Sequence, residues 1–232
     1  MTDLFAALPA GPARTLRPGV VLLPRFAPIE AVDAAVGAVT AEAPPRHFAT
    51  PGGKAMSVAM TNCGPLGWVS DRAGYRYQPT DPATGRPWPA MPAAFRDLAA
   101  RAADTAGFPG FAPDACLVNL YVPGTRLTLH QDRDERAFGD PIVSVSLGLP
   151  AVFLMGGERR GDPTEPLRLE DGDVLVFGGP ARLMFHGVKP LADGIHPRTG
   201  ARRINLTFRR AGGGAAAPDE GPPRRMRGRR AG

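Results

Sequence analysis

Cysteine is scarce in this chain, with Cys63 and Cys116 the only two among 232 residues. They are too few and too far apart for a disulfide framework or a thiolate metal cluster. Reduced thiols in a cytoplasmic protein are therefore the expected state. Long apolar runs are missing as well. No stretch approaches the ~18 consecutive apolar residues of a membrane-spanning helix, so no membrane partner is expected. The opening Met1-Thr2-Asp3-Leu4 lacks a basic segment followed by an apolar one, which argues against a secretory signal. Histidine is also rare, at four residues, so the position of each one carries information. No internal repeat is visible.

Positive charge is what the chain has in excess. Twenty-eight Lys and Arg face 22 Asp and Glu, a formal net charge of +6, and the sequence pI is near 10.1. Such a balance favours polyanionic partners, nucleic acid foremost. Part of it is local: five arginines lie between Arg224 and Arg230, beyond a Gly/Ala/Pro-rich stretch at 211–223. Residues 211–232 are expected to form a disordered basic tail. Such a tail either adds phosphate affinity without base specificity or only solubilises. Setting aside those arginines with Asp219 and Glu220 leaves +3 on the remainder, so the rest is only mildly basic. An ordinary apolar content of 43% and this length suit a single domain over residues 1–210.

Along the chain, two helices are expected. Residues 27–43 place Pro28 at a helix start and Ile29, Val32 and Val36 on one face. Residues 92–106 bury Phe95, Leu98, Ala99 and Ala102, with Gly107 as the stop. Between them, residues 51–92 are rich in Gly, Pro, Asn and aromatics, with turns such as Asp81-Pro82-Ala83-Thr84-Gly85. A segment this long and irregular is more often a binding element than a connector. From Cys116 onward the pattern is β, with strands expected at 116–122, 125–130, 142–148, 151–155, 166–169, 173–177, 182–188 and 202–209. Many short strands without interleaved helices point to a mainly β fold with flanking helices, and eight of them suit a double-sheet jelly roll.

Chemistry concentrates in that half. His130-Gln131-Asp132 closes one strand-like run, and His186 closes another, Arg182-Leu183-Met184-Phe185. Residues i and i+2 of an extended chain project to one side, so His130 and Asp132 can share a site with His186. Two imidazoles and one carboxylate cap one face of an Fe(II) octahedron and leave three positions open. The same set also serves hydrolytic zinc, and strand-end histidines can simply be hydrogen-bonded. His47 and His196 sit in loop-like contexts and are expected at the surface. The last strand, Arg203-Ile204-Asn205-Leu206-Thr207-Phe208-Arg209, alternates cleanly. Either its polar side is an exposed sheet face, or its two arginines, about 20 Å apart at their Cα atoms at strand rise, serve the two ends of a small dicarboxylate site through their long side chains. Asn119 and Tyr121 share a side of their own strand and offer hydrogen bonds to the same anion. Triad and arginine strand together are what a 2-oxoglutarate-dependent Fe(II) dioxygenase needs.

Further segments carry a specific resemblance: Thr50-Pro51-Gly52-Gly53, Met56 to Gly64, Leu66-Gly67-Trp68, Pro87-Trp88-Pro89-Ala90-Met91-Pro92, Asn119-Leu120-Tyr121, Leu129-His130-Gln131-Asp132, Ile142 to Gly148, and Arg203 to Arg209. In their order and spacing over residues 15–210, the chain resembles a bacterial AlkB-type Fe(II)/2-oxoglutarate-dependent nucleic-acid dealkylase. The resemblance implies a double-stranded β-helix (jelly-roll) core over about 112–210 and an N-terminal nucleotide-recognition lid over about 45–92. It implies iron on His130, Asp132 and His186, and 2-oxoglutarate against Asn119, Leu120, Tyr121, Arg203, Asn205 and Arg209. It further implies substrate contacts from Met60, Trp68, Tyr75, Tyr77, Asp134 and Arg160. The implied reaction is oxidative demethylation of 1-methyladenine and 3-methylcytosine in alkylated DNA, single-stranded or flipped out, with RNA as a further target. It couples 2-oxoglutarate and O₂ to succinate, CO₂ and formaldehyde in a monomeric enzyme. A hydroxylase or demethylase of modified tRNA or protein is the alternative. Lys54, Val69-Ser70-Asp71, Phe177 and the tail depart from the family pattern and bear on substrate preference.

Overall fold

The computed structural model describes residues 10–212; the Arg-rich segment from residue 213 lies outside the described residues. In chain order the elements are β1 (Arg14–Arg17), β2 (Val20–Leu23), α1 (Ile29–Glu42), β3 (Arg46–Ala49), β4 (Ala55–Cys63), β5 (Gly67–Asp71) and β6 (Gly74–Gln78). There follow α2 (Ala93–Thr105), β7 (Ala115–Tyr121), β8 (Leu127–His130), β9 (Ile142–Gly148), β10 (Ala151–Met155), β11 (Glu165–Leu169), β12 (Val174–Phe177), β13 (His186–Val188) and β14 (Arg203–Arg209). An eight-stranded sheet runs β1-β2-β12-β9-β14-β7-β4-β3 and faces a four-stranded sheet ordered β11-β10-β13-β8. All their ladders are antiparallel. This is the expected double-sheet jelly roll, mainly β with two helices against it.

The helices form because their apolar residues recur at helical spacing, and they cover the outer face of the large sheet. Val32, Ala35, Val36 and Val39 of α1 and Phe95, Leu98, Ala99, Ala102 and Ala103 of α2 join one core with alternate residues of β7, β9, β12 and β14. Phe95 meets Phe208 of β14 edge to face at 5.7 Å. Truncating so buried a ring costs about 3–5 kcal/mol. Helix α2 ends as the sequence predicts: Gly107 takes a φ of 88°, and Phe108 N–H closes on the Ala103 carbonyl at 2.8 Å.

Three features differ from the sequence expectations. Residues 182–185 are not strand. Gly178-Gly179-Pro180 starts a 3₁₀ turn at Gly179–Ala181 that continues through Met184 N–H to the Ala181 carbonyl, so His186 begins a strand rather than ending one. The β1–β2 hairpin was not expected; β2 adds to the large sheet beside β12. The segment proposed as a lid over 45–92 is also divided. β3 and β4 extend the large sheet through β7, and only the β5–β6 hairpin forms a sheet of its own.

Candidate metal centre and anion cradle

His130 and His186 face each other because β8 and β13 pair with those two residues in register. Their rings lie 4.4 Å apart. Gly187 allows the strands to approach: a Cβ there would stand 2.8 Å from the Leu127 carbonyl oxygen. Asp132 lies just past β8, its Oδ1 3.6 Å from His130 Nε2 and its Oδ2 3.8 Å from His186 Nε2. One ligand atom from each of the three residues falls within 4.8 Å of the others.

The imidazole tautomers suit a metal. His130 Nδ1 lies 2.9 Å from the Thr128 carbonyl and His186 Nδ1 3.1 Å from the Met184 carbonyl. A carbonyl only accepts, so each Nδ1 carries the proton and each Nε2 presents a lone pair to the site. Burial and the neighbouring His130 lower the His186 pKa to about 4, which keeps the ring neutral. Burial pushes the Asp132 carboxyl upward, but the Arg209 guanidinium outweighs it and holds the group well below the usual carboxylate range. Two neutral imidazoles and one carboxylate fit Fe(II), and the sequence left zinc open as a second occupant.

What surrounds the triad favours iron with a dicarboxylate. A cavity of about 520 Å³ opens from the metal centre, with β14 and β7 supplying much of its floor. Arg203, Asn205, Thr207 and Arg209 all point into it, while Leu206 and Phe208 point into the helical core, so the alternation of β14 separates chemistry from packing. The polar face is buried, not the exposed face that its sequence also allowed. Arg203 is 1% exposed. Its Nη2 donates to Ser146 Oγ at 3.0 Å and its guanidinium lies over the Tyr121 ring. Nε and Nη1 have no partner in the protein. Two unpaired donors on a buried cation call for an anionic acceptor. Behind them, Asn205 takes hydrogen bonds from Asn119 and Thr207 and donates to Ser144 Oγ and the Val145 carbonyl, which fixes the cradle before any ligand enters. A bound dicarboxylate would meet Arg203 at one end, while Arg209 stands beside Asp132 near the metal end.

The remaining sequence candidates separate. Trp68, Tyr75, Asp134 and Arg160 line the cavity on its more exposed side, while the buried Met60, Asn119 and Tyr121 line its interior. Trp68 stacks on Tyr75 at 5.6 Å and 13°, and its indole N–H donates to Asp134 Oδ2 at 2.8 Å. Arg160 donates to the Leu129 carbonyl at 2.6 Å and lies over the Phe185 ring. Two candidates are absent from the cavity wall. Leu120 projects from the opposite face of β7, as strand parity requires. Tyr77 turns its hydroxyl inward to Glu135 at 3.2 Å. Ser144, Ser146, Glu135 and Arg182 were not singled out from sequence. The two serines could have been found by applying the parity of β14 to its neighbour β9, whereas no sequence signal marks the other two.

Comparison with known proteins agrees with this geometry. Residues 19–209 match the family model described as the 2OG-Fe(II) oxygenase superfamily. The chain is 54% identical over 215 residues to Alpha-ketoglutarate-dependent dioxygenase AlkB of Escherichia coli strain K12, covering 91% of this chain and 99% of that protein. It is 51% identical over 201 residues to an AlkB homolog of Caulobacter vibrioides, covering 85% and 90%. The solved structure of OsALKBH1 superposes with a TM-score of 0.72 at 33% identity, over 85% of this chain and 99% of that one. With the paired histidines, the buried aspartate and the arginine strand already in place, the chain belongs to the 2OG-Fe(II) oxygenase superfamily, as a bacterial AlkB-type alpha-ketoglutarate-dependent dioxygenase.

Proposed function

We propose that this dioxygenase removes N-linked alkyl groups from nucleobases by oxidation, with 1-methyladenine and 3-methylcytosine in single-stranded or flipped-out DNA as its substrates. The observation that carries this reading is the mouth of the cavity, where Trp68, Tyr75 and Asp134 gather above the iron ligands. A planar aromatic group at that position offers stacking to any base, worth about 1–3 kcal/mol. The Asp134 carboxylate adds a preference for a cationic base. At about 4 Å its attraction for a unit positive charge ranges from ~1 kcal/mol in water to ~4 kcal/mol at an effective dielectric of about 20. A methyl group on N1 of adenine or N3 of cytosine makes the base cationic, and the unmodified base is neutral. The Trp68 N–H occupies Oδ2, which leaves Oδ1 for the exocyclic amino group of the base.

Iron(II) held by His130, Asp132 and His186, together with 2-oxoglutarate and O₂, supplies the oxidation of a methyl C–H bond that no amino-acid side chain can perform. Arg203, Tyr121 and Asn119 bind and orient 2-oxoglutarate, and Arg209 braces Asp132. Phe153 and Phe177 pack against the His186 ring and hold its orientation. Once the methyl group is hydroxylated, the N–C bond breaks and its electron pair returns to the ring nitrogen. Formaldehyde and a proton leave, and a neutral base remains. Asp134, matched to the cation, then holds the product less tightly. Arg160 at the rim supplies a positive charge for the neighbouring phosphate. The target must leave its stack to reach the cavity, so single strands, where unstacking costs least, are preferred.

Among the described residues no helix is long and apolar enough to cross a membrane. We propose a monomer as the working state, and light scattering of the purified chain checks it. The deciding assay incubates methylated DNA and RNA oligonucleotides with protein, Fe(II), 2-oxoglutarate and air, and follows them by mass spectrometry. Loss of 14 mass units per lesion, about the mass of one methylene, with one succinate formed per repair is the expected result. Unchanged 1-methyladenine and 3-methylcytosine in both nucleic acids would sink the reading.

A further inference from the structure

The loop between β8 and β9 carries a carboxylate for which iron and base recognition leave no role. Glu135 sits in the run Asp132-Arg133-Asp134-Glu135-Arg136, yet its side chain is 1% exposed. Oε1 accepts from the Tyr77 hydroxyl at 3.2 Å and lies 3.2 Å from Arg209 Nε. Oε2 lies 3.4 Å from Arg182 Nη2, an ion-pair distance without hydrogen-bond geometry. Both arginines also hold Asp132. Arg209 grips Oδ2 through Nη2 at 2.6 Å and Nε at 3.0 Å. Arg182 donates from Nη1 to the Asp132 backbone carbonyl at 2.9 Å and from Nε to the Asp140 carbonyl at 3.0 Å.

Asp132, Arg209, Glu135 and Arg182 form a buried run of two carboxylates and two guanidiniums behind the metal centre, with Arg182 returning to Asp132 through its backbone carbonyl. Arg209 Nε stands between the two carboxylates. Glu135 does not line the cavity, whereas the adjacent Asp134 does. A charge so placed stands off the cavity wall and shares Arg209 with Asp132.

We propose that Glu135 is a positioning residue: by sharing Arg209 with Asp132 and anchoring Arg182 behind it, it sets the donor strength of the metal-binding carboxylate and the aim of Arg209 toward 2-oxoglutarate. The inference rests on the dioxygenase reading above. Without the Glu135 charge the buried set carries a surplus positive charge. Arg209 then closes fully on Asp132, drawing electron density from the carboxylate that the metal needs. Tyr77 extends the same set into β6, so the recognition hairpin is hydrogen-bonded to the back of the metal centre.

The test uses the full chain loaded with Mn(II), which binds without turnover, and titrates 2-oxoglutarate by calorimetry. Glu135→Gln keeps the shape of the side chain and removes its charge. Its 2-oxoglutarate affinity is expected to fall about tenfold, equivalent to ~1.4 kcal/mol. The anaerobic Fe(II)/2-oxoglutarate charge-transfer band is expected to shift, while KM for a methylated oligonucleotide stays within about twofold of wild type. Glu135→Asp, which restores the charge, should recover part of the affinity. Tyr77→Phe, which removes one hydrogen bond and no charge, should weaken 2-oxoglutarate binding about two- to threefold. Affinity within twofold of wild type in Glu135→Gln overturns the proposal. So does intact 2-oxoglutarate binding with a raised oligonucleotide KM, which would make Glu135 a base contact. If Glu135→Gln does not fold, Tyr77→Phe decides by the same titration, and an unchanged affinity there overturns the proposal. Failure of wild-type protein to bind 2-oxoglutarate with Mn(II) would bring down the dioxygenase reading and this inference with it.

Discussion

Replacing Arg203 by methionine is expected to stabilise the ligand-free protein and, in the same molecule, to cripple 2-oxoglutarate binding. Arg203 is 1% exposed, and burial depresses its pKa, which marks the energetic cost of the charge. It makes one hydrogen bond, to Ser146, and a cation–π contact with Tyr121, while Nε and Nη1 are unpaired. Methionine fills similar volume with no charge. Relief of several kcal/mol of desolvation is offset by about 2–3 kcal/mol from the two lost contacts. The balance is a gain of about 1 kcal/mol, or about 2–4 °C in Tm for a chain of this size. Binding moves the other way. Removing one partner of a buried carboxylate–guanidinium pair costs about 2–5 kcal/mol, so 2-oxoglutarate affinity falls by roughly 30- to 5,000-fold. Differential scanning fluorimetry without ligand and calorimetric titration with Mn(II) and 2-oxoglutarate read the two effects separately. A Kd within threefold of wild type would refute the assignment of Arg203 to the remote carboxylate. A Tm lowered by more than about 5 °C would show that the guanidinium is a structural element and not a poised binding group.

Trp68→Ala is expected to raise KM for a methylated oligonucleotide about tenfold through lost stacking, with 2-oxoglutarate affinity unchanged; an unchanged KM would remove Trp68 from the base site. Asp134→Asn should narrow the preference for cationic over neutral lesions by about tenfold in kcat/KM, measured by pairing 3-methylcytosine with a neutral alkylated base. Acid weakens the metal-free fold, because the His186 pKa lies near 4 in the protein and near 6.5 in an unfolded chain. The unfolded chain takes up this proton first, so the contribution is complete above about pH 6.5 and is lost as pH falls toward 4, about 2 kcal/mol by pH 5. Equal urea midpoints at pH 7 and pH 5 would contradict it. Truncation after Gly212 should leave Tm unchanged, since Asp114 holds the backbone N–H groups of Ala211 and Gly212 at 2.6 and 2.8 Å. It should also flatten the salt dependence of oligonucleotide binding, because five arginines are lost; an unaltered slope would leave the tail without a role in binding.

Residue spacing alone revealed much of this site. His130 and Asp132 are two apart on an extended chain, and the polar side of Arg203–Arg209 is legible from period-two alternation. The same parity places Leu120 outside the cavity, even though it lies inside a matching motif. Turn chemistry hid more. Gly178-Gly179-Pro180 reads as a strand break, but nothing local says that residues 182–185 fold into a turn and send Arg182 inward. Glu135 was hidden for a different reason. A run of five alternating charges has the composition of a solvated surface, and only the tertiary arrangement of Arg182, Arg209 and Tyr77 makes its burial affordable. The β1–β2 hairpin pairs with a strand about 150 residues later, a long-range choice that local pattern does not encode.

β14 also acts as a ruler. Its two arginines are fixed on one covalent backbone, flanked by β7 and β9 along its length and backed by the Phe95–Phe208 contact. A loop could shift to accept a longer or shorter guest, but a central strand locked on both edges cannot stretch or slip without turning its side chains to the wrong face. Under the proposed reading, paired strands fix the distance from Arg203 to the metal ligands, and with it the length of the acceptable 2-oxo diacid. Homologues of 2-oxoglutarate differing by one methylene meet a gauge that does not adjust.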